Sequence, residues 1–214
     1  KILRERTSIE AGPPIAINLI KDDISFYPII YWPITTNTNF LSDSIINKIQ
    51  SYMKNGGLIV FDTRDLSPTN IISKNTSTEQ NKLKIILKAL DLPILIKVPE
   101  NHVIRRSFYL LDELPGRYSG GHVWVEATSK NSRDGVSSVL IGGNDWAAAW
   151  AKDTDNKPIY SVIPGGEKQR EFAYRFGVNL VMYSMTGNYK ADQVHIKSIL
   201  KRLNNKSNKK KISE

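Results

Sequence analysis

Two clusters of polar residues follow apolar runs, at positions where an α/β protein holds its ligands. Asp62, Thr63 and Arg64 come directly after one run, and Asn144 and Asp145 follow a second run through two glycines. In an open α/β sheet, ligands bind beyond the carboxyl ends of the strands, so these five residues are the first candidates for a site. A carboxylate there can bind a cation, orient a ligand hydroxyl or act as a general base. Asp62 can equally cap a helix or pair with Arg64.

His102 and Arg117 complete the candidate ligand-binding set. Both lie in an irregular connector between residues 102 and 121, where a histidine can face a cleft. If the domain were a hydrolase, Asp62 or Asp145 would be the base and His102 the acid. The three histidines are far apart in the sequence and lack the spacing of a zinc site, so no metal is expected.

The sequence lacks the residues or motifs that several other kinds of chemistry require. The chain has no cysteine, which excludes disulfides, thiolate nucleophiles and cysteine-bound metal centres. Thr63 lacks the flanking glycines of a nucleophile elbow. The turn before Asn144 has neither the Lys-Ser/Thr of a P-loop nor a third glycine, and we interpret it as a bend that lets Trp146 and Trp150 pack on the sheet. No complete catalytic set can be assembled, and no cofactor is expected.

Three basic residues late in the chain offer a further choice. Arg170, Arg175 and Lys190 could form an anion site or lie on solvated helix faces, and the sequence favours the second interpretation.

The hydrophobic pattern predicts helices and strands that alternate along the chain. Two prolines, Pro28 and Pro33, predict that the first long strand lies near a sheet edge or ends at Pro33. The predicted strands are Thr7–Glu10, Phe26–Trp32, Leu58–Asp62, Val123–Glu126 and Val139–Ile141. The predicted helices are Lys1–Arg6, Ser42–Met53, Thr78–Leu90, Trp146–Trp150, Glu167–Thr186 and Ala191–Leu203, with a polar loop over Ser67–Ser77.

Length and charge indicate one domain with a basic tail. The 214 residues suit a single α/β domain over residues 1–203. Of the net charge of +9, residues 197–214 carry +6, from seven Lys or Arg against one Glu, which leaves +3 for the body. Residues 204–214 are expected to be disordered, and nucleic acid is not an expected partner. A contact of this tail with anionic lipid or RNA is the alternative.

Short blocks of glycine, aromatic and charged residues are spread along nearly the whole chain, up to about Leu203. They are Phe26–Pro28, Tyr31–Pro33, Asn55–Gly57, Phe61–Asp65, His102–Val103, Ser107–Leu111, Pro115–Arg117, Asn144–Ala147, Gln169–Glu171, Gly177–Tyr183 and Gly187–His195. Together they resemble an uncharacterised bacterial domain family that is similar to the class I glutamine amidotransferase superfamily, including trehalose-utilisation-type proteins.

This resemblance implies a three-layer, flavodoxin-like α/β fold with a mostly parallel sheet. It also implies that this chain lacks the family's first strand, which would leave a sheet edge or slot open and make the fragment poorly soluble. In alphaproteobacteria the family forms the C-terminal part of large membrane-anchored proteins, whose N-terminal region resembles aerotolerance (Bat) proteins. An association with the membrane, through an anchor upstream of Lys1, is therefore expected.

The same resemblance argues against amidotransferase chemistry. Those enzymes place a cysteine on the elbow after a central strand, where this chain has Asp62, Thr63 and Arg64. The expected function is therefore recognition of a small polar ligand or a protein, without catalysis. A carboxylate- or metal-assisted hydrolase acting on a sugar or similar molecule is the alternative.

Overall fold

The structure of the chain, a computed structural model, describes residues 1–38, 41–66, 76–127 and 136–185. Within these ranges the protein is α/β, with one mixed sheet of five strands in the order β1-β2-β5-β4-β3. The strands are β1 Ile29–Pro33, β2 Leu58–Asp62, β3 Leu95–Lys97, β4 Trp124–Glu126 and β5 Val139–Gly142.

Most strands of this sheet share one direction. β1, β2 and β5 pair in parallel, whereas β4 runs antiparallel to both β5 and β3. β3 therefore points the same way as the first three strands, and β4 alone among the described strands is reversed. The α/β class and the mostly parallel sheet predicted from the sequence are confirmed. The outer edges of the sheet belong to β1 and β3, and the five described strands form a continuous ladder.

Helices pack on both faces of the sheet. The described helices are α1 Ile2–Arg6, α2 Asp43–Lys54, α3 Thr78–Ala89, α4 Trp146–Trp150 and α5, formed by residues 166–185. α2 and α3 share one hydrophobic core with Ile59 and Phe61 of β2. α4 and α5 share the other core with Leu58 and Val60, because successive side chains of a strand point to opposite faces.

Local sequence signals account for the central elements. All five residues of β2 are buried, as expected for a continuous apolar run covered on both faces. Ser77 caps α3, and its hydroxyl accepts a hydrogen bond from the Gln80 amide at 3.0 Å. α2 ends before Gly56, whose φ of +97° is a conformation that glycine adopts without strain. The predicted positions of these elements are confirmed.

Two predicted strands differ from the structure. Residues 7–10 form no strand, because the Thr7 hydroxyl folds back to donate to the Leu3 carbonyl and to accept from the Ile9 amide. The predicted strand from Phe26 begins late. Ile24–Phe26 is a 3₁₀ turn capped by the Asp23 carboxylate, and the strand starts only after Pro28. Its place at the sheet edge and its end at Pro33 are as predicted.

The three-residue strand β3 was not predicted, because its pattern is too short for a period to show. Other predictions lie outside the described residues. These are most of the Ser67–Ser77 loop, the helix Ala191–Leu203, Lys190 and the tail 204–214. Among the described residues, no helix combines the length and apolar character that crossing a bilayer requires.

Candidate functional site

Asp62, the last residue of β2, lies at the centre of the predicted site and is fully buried. Its carboxylate accepts four hydrogen bonds. The Tyr31 hydroxyl donates to Oδ2 at 2.6 Å and the Trp146 amide donates to Oδ2 at 2.8 Å. The amides of Arg64 and Asp145 donate to Oδ1, at 3.0 and 3.2 Å. All four donors belong to the protein, so Asp62 presents no free oxygen to a ligand.

Burial shifts the pKa values of Asp62 and Tyr31, which are hydrogen-bonded to each other. Removal from water raises the pKa of Asp62 above its ordinary value, while the four donors oppose that shift. Burial and the neighbouring Asp62 also raise the pKa of Tyr31, which keeps the phenol protonated and donating. Tyr31 was not among the predicted site residues. The parallel register pairs Pro33 with Asp62, so Tyr31 precedes that pairing by two residues and points to the same face.

The contacts of Asp62 give it a structural role. Trp146 begins α4, and Asp145 is the residue before it, so Asp62 satisfies amides that the start of a helix leaves unpaired. This is helix capping by a residue distant in sequence. It replaces the Asp145 side chain, which makes no capping hydrogen bond of its own. Trp146 and Trp150 then pack on the α5 face, as predicted from the glycine turn.

Thr63 and Asp65 continue the same internal bonding. The Thr63 hydroxyl contacts the Asp65 carboxylate and the Gly142 carbonyl, and both side chains are buried. Asp65 also accepts from the Ser77 hydroxyl at 2.9 Å and from the Gln80 side-chain amide. Asp65 therefore ties the start of α3 to the end of β2. Asp65 was not predicted as a site residue, and no signal in the sequence joins it to Ser77.

Arg64 differs from its neighbours because its side chain is exposed. Its φ of +55° lies in the left-handed region, which costs a non-glycine residue about 1 kcal/mol. The hydrogen bond from its amide to Asp62 holds that conformation. Among the described residues, no partner contacts its guanidinium. Within the described part of the chain, Arg64 is thus an unpaired cation, held by its backbone at the carboxyl end of β2.

Asp145 and Arg117 form an ion pair beside this turn. Arg117 Nη1 lies 3.4 Å from Asp145 Oδ2, and the Arg117 side chain is about a quarter exposed. The guanidinium also lies over the rings of Tyr118 and Tyr160, at 5.3 and 5.2 Å from their centroids. Its Nε donates to the Ser161 carbonyl at 3.3 Å. The Asp145 carboxylate is therefore engaged in an ion pair.

Asn144 lies inside the turn and is almost fully buried. Its Nδ2 donates to the Tyr118 carbonyl at 3.3 Å, while Oδ1 is buried and has no hydrogen-bond partner among the described residues. A buried acceptor without a donor costs about 1–3 kcal/mol. Asn144 also lines a cleft on the β3 side of the turn.

His102 lies apart from these residues. Its ring packs on Tyr183 with 5.6 Å between centroids, and its Nδ1 accepts from the Ile104 amide at 3.3 Å. The Tyr183 hydroxyl accepts from Ser137, which precedes β5, whereas Asp62 pairs with Gly142 at the end of β5. These contacts place His102 toward the opposite end of the strand. Burial and the charge of Arg105 lower its pKa.

The structure therefore brings six of the seven candidates together at the carboxyl ends of β2 and β5. These are Asp62, Thr63, Arg64, Arg117, Asn144 and Asp145. His102 is not among them. Within the described ranges, no three His, Asp or Glu side chains lie close enough to hold a metal ion.

The expectation of solvated arginines on the late helix is wrong for Arg170. Its guanidinium is buried and donates to the carbonyls of Ala149 and Tyr160, near the end of α4, while Nε pairs with Glu167 at 3.0 Å. Arg175 pairs with Glu171 at 3.0 Å on a half-exposed face. Neither arginine forms an open anion site.

The structural role of Gln169 was not predicted from the sequence either. Its side-chain amide donates to the carbonyls of Gly116 and Ile163, at 2.9 and 3.1 Å, and its Oε1 accepts from Gly165. It thereby fixes the loop that carries Arg117 against α5.

Comparison with known proteins gives a family and no activity. The sequence matches no curated protein. Residues 1–185 match the family described as a domain of unknown function, DUF4159. That range includes every residue whose geometry is given above and every candidate residue of the site. Because the match spans well over half of the 214 residues, the chain belongs to the DUF4159 family.

Proposed function

We propose that this domain is a non-catalytic binding module that recognises a small polar ligand or a protein partner at the carboxyl edge of its sheet. One observation carries the proposal: the three carboxylates at or directly after the ends of β2 and β5 are bonded within the protein itself. Asp62 accepts four internal hydrogen bonds, Asp65 holds the start of α3, and Asp145 pairs with Arg117. A general base needs a carboxylate that can reach a substrate proton.

The groups that remain accessible at this edge suit recognition. Arg64 is exposed and unpaired among the described residues. Arg117, which pairs with Asp145 and is about a quarter exposed, lies over the rings of Tyr118 and Tyr160. Arginine and tyrosine are the side chains most enriched in the energetic centres of binding surfaces. The strained backbone of Arg64 also supports this assignment, because such strain concentrates at sites where it has a use.

The wider identity is also part of the proposal. We infer from the sequence blocks that the scaffold is an amidotransferase-like, flavodoxin-like relative without amidotransferase activity. Their resemblance to C-terminal domains of membrane-anchored envelope proteins supports an origin in a parent with a Bat-like N-terminal region. Fractionation of source cells with an antibody against this domain tests the last point, and recovery of the native protein in the soluble fraction alone would contradict it.

The hydrolase alternative has weaker support. It needs Asp62 or Asp145 as base and His102 as acid around one substrate. Asp62 is buried, Asp145 is ion-paired, and His102 lies toward the other end of β5.

A ligand screen with turnover analysis separates the two functions. Metals, sugars, nucleotides and organic acids are added to the chain, and the melting temperature is recorded for each. Each compound that raises the melting temperature is then incubated overnight and analysed by proton NMR. A binding module gives a saturable rise with the compound unchanged, and the rise is lost in Arg64→Asn, because asparagine tolerates the left-handed conformation but carries no charge.

Two further variants complete the test. Arg106→Ala removes an exposed arginine from another part of the molecule and is expected to bind like the parent chain. Asp62→Asn is expected to lower stability without changing the fate of the compound. Product formation that disappears in Asp62→Asn or Asp145→Asn, at a temperature where the variant is folded, would establish the hydrolase instead.

A further inference from the structure

A polar cavity lies at the same edge of the sheet as Arg64 and Arg117, and it shares only Asn144 with the predicted site. It has a volume of about 210 Å³. We call it the β3 cleft. Its polar side chains are Lys97, Arg105, Asp112, Glu113, His122 and Asn144. Lys97 ends β3 and His122 shortly precedes the antiparallel β4, so the cleft opens at the same carboxyl edge where α/β sheets hold ligands.

Opposite charges line this cleft without neutralising one another. Lys97, Asp112 and Glu113 are exposed. Among the described residues, no ion pair within 4.0 Å joins Lys97 to either carboxylate.

Arg105 is not available to a ligand in the same way. Its Nε donates to the Pro99 carbonyl at 3.0 Å, and its other nitrogens contact the carbonyls of Val98, Leu111 and Asp112. These bonds fix the wall that carries Asp112 and Glu113 against the end of β3. The fixed wall means that the carboxylates are presented by a positioned backbone rather than by a loose loop.

We infer that the β3 cleft binds a small zwitterion, one molecule with an ammonium and a carboxylate. Among the described residues, the cleft offers one unpaired cation, Lys97, and two unpaired anions, Asp112 and Glu113. Arg105 is a second, internally bonded cation, so the formal charges of the lining balance. A simple anion would meet Asp112 and Glu113, and a simple cation would meet Lys97 and Arg105. A zwitterion places each charge against its opposite, and such complementarity gives specificity.

Asn144 joins the cleft to the turn before α4. It forms part of the cleft wall, but its Oδ1 is buried, so the charges that a ligand can reach are those of Lys97, Asp112 and Glu113. This inference rests on the proposal that the domain is a binding module, and it names the ligand class for a cleft at the same edge of the sheet as Arg64.

Titration with matched small molecules tests the inference on the whole chain. Glycine, β-alanine and 4-aminobutyrate are the zwitterions, and acetate, propionate, butyrate and the corresponding alkylamines carry one charge each. Amide chemical shifts of residues 97, 122 and 123 report occupancy. We expect at least one zwitterion to bind saturably, at least tenfold tighter than both singly charged molecules of its own chain length.

Charge removal identifies the groups responsible. Lys97→Gln and Glu113→Gln are each expected to weaken that zwitterion at least tenfold, while Lys88→Gln and Glu10→Gln, which remove exposed charges elsewhere, leave it unchanged. Absence of saturable binding by every zwitterion, or equal binding by acetate, overturns the inference. Arg64→Asn separates this result from the proposed function. It leaves zwitterion binding intact if the cleft is a site of its own, and failure of the cleft leaves partner binding at Arg64 unaffected.

Discussion

The turn 62–65 uses nearly all of its polar atoms to hold the protein together. Asp62 caps α4 on one face of the sheet, and Asp65 fixes the start of α3, which packs on the other face. A residue type that suits catalysis therefore performs a structural task here. Arg64 is the exception, since its backbone belongs to the turn while its side chain points to solvent.

Arg64 provides a direct test of strain at this turn. Arg64→Gly is expected to raise the free energy of unfolding by about 1 kcal/mol, because glycine adopts a φ of +55° without the steric cost of a Cβ atom. Arg64→Ala keeps that cost and is expected to give no gain. Urea unfolding of both variants measures the difference. Equal stabilities of the two variants would show that the left-handed conformation stores no strain.

His102 predicts a pH dependence of stability. Burial, followed by the charge of Arg105, lowers its pKa in the folded state below the ordinary value of 6.5. The unfolded chain then binds a proton more readily than the folded chain, so His102 destabilises the fold as the pH falls below that value. His102→Asn keeps a side-chain acceptor for the Ile104 amide but does not titrate there.

The comparison is made by urea unfolding between pH 7.5 and pH 5. We expect the wild-type chain to lose more stability than His102→Asn over this range, while the other histidines contribute equally to both. A parallel decline of the two curves would mean that His102 is as accessible to protons in the folded chain as in the unfolded one.

At the scale of elements, the site depends on how closely the 115–117 loop approaches the turn between β5 and α4. The Tyr118 amide donates to the Asn144 carbonyl at 3.0 Å, and the Arg117 amide donates to Asp145 at 3.3 Å. Gly116 directly precedes Arg117 and lies against the same turn. A Cβ atom there would stand 2.3 Å from the Asn144 carbonyl oxygen, closer than any real packing allows.

Gly116→Ala is therefore expected to cost about 2 kcal/mol or more of folding free energy, because a backbone oxygen cannot move aside as a flexible side chain can. The matched control is Gly12→Ala. Nothing lies within 4 Å of the added Cβ at that position, so its effect is expected to stay within about 0.5 kcal/mol. Thermal unfolding of both variants checks the contrast, and a Gly116→Ala chain as stable as Gly12→Ala would mean that the two loops are not packed as described.

Elements with a long, strongly apolar pattern could be predicted from the sequence. β2 and α3 lie within a residue of their predicted bounds, because a buried run and a capped amphipathic stripe each determine their own local structure. The strand predicted over residues 7–10 is absent for the opposite reason. Its pattern is short, and the Thr7 hydroxyl instead donates to the Leu3 carbonyl in α1 and accepts from the Ile9 amide.

At the scale of the whole molecule, the location of the site was predictable and its internal bonding was not. The rule on carboxyl ends of strands placed Asp62 and Asp145 at one edge, and the structure brings them into contact. The rule does not reveal that Tyr31 bonds Asp62 or that Ser77 bonds Asp65. Such partners depend on strand order and register, which a single sequence does not specify.

The net charge is distributed unevenly along the chain. Residues 197–214 carry +6 of the +9, so binding to nucleic acid or anionic lipid would be a property of that segment rather than of the sheet.

Removal of residues 204–214 eliminates four lysines and one glutamate. We expect the melting temperature to stay unchanged, because the apolar cores described above join the helices to the sheet through residues between Ile17 and Tyr183. Any binding of single-stranded RNA by the whole chain is expected to weaken on truncation and to fall steeply with added salt. RNA binding that survives the truncation at physiological salt would instead assign a nucleic-acid surface to the folded domain.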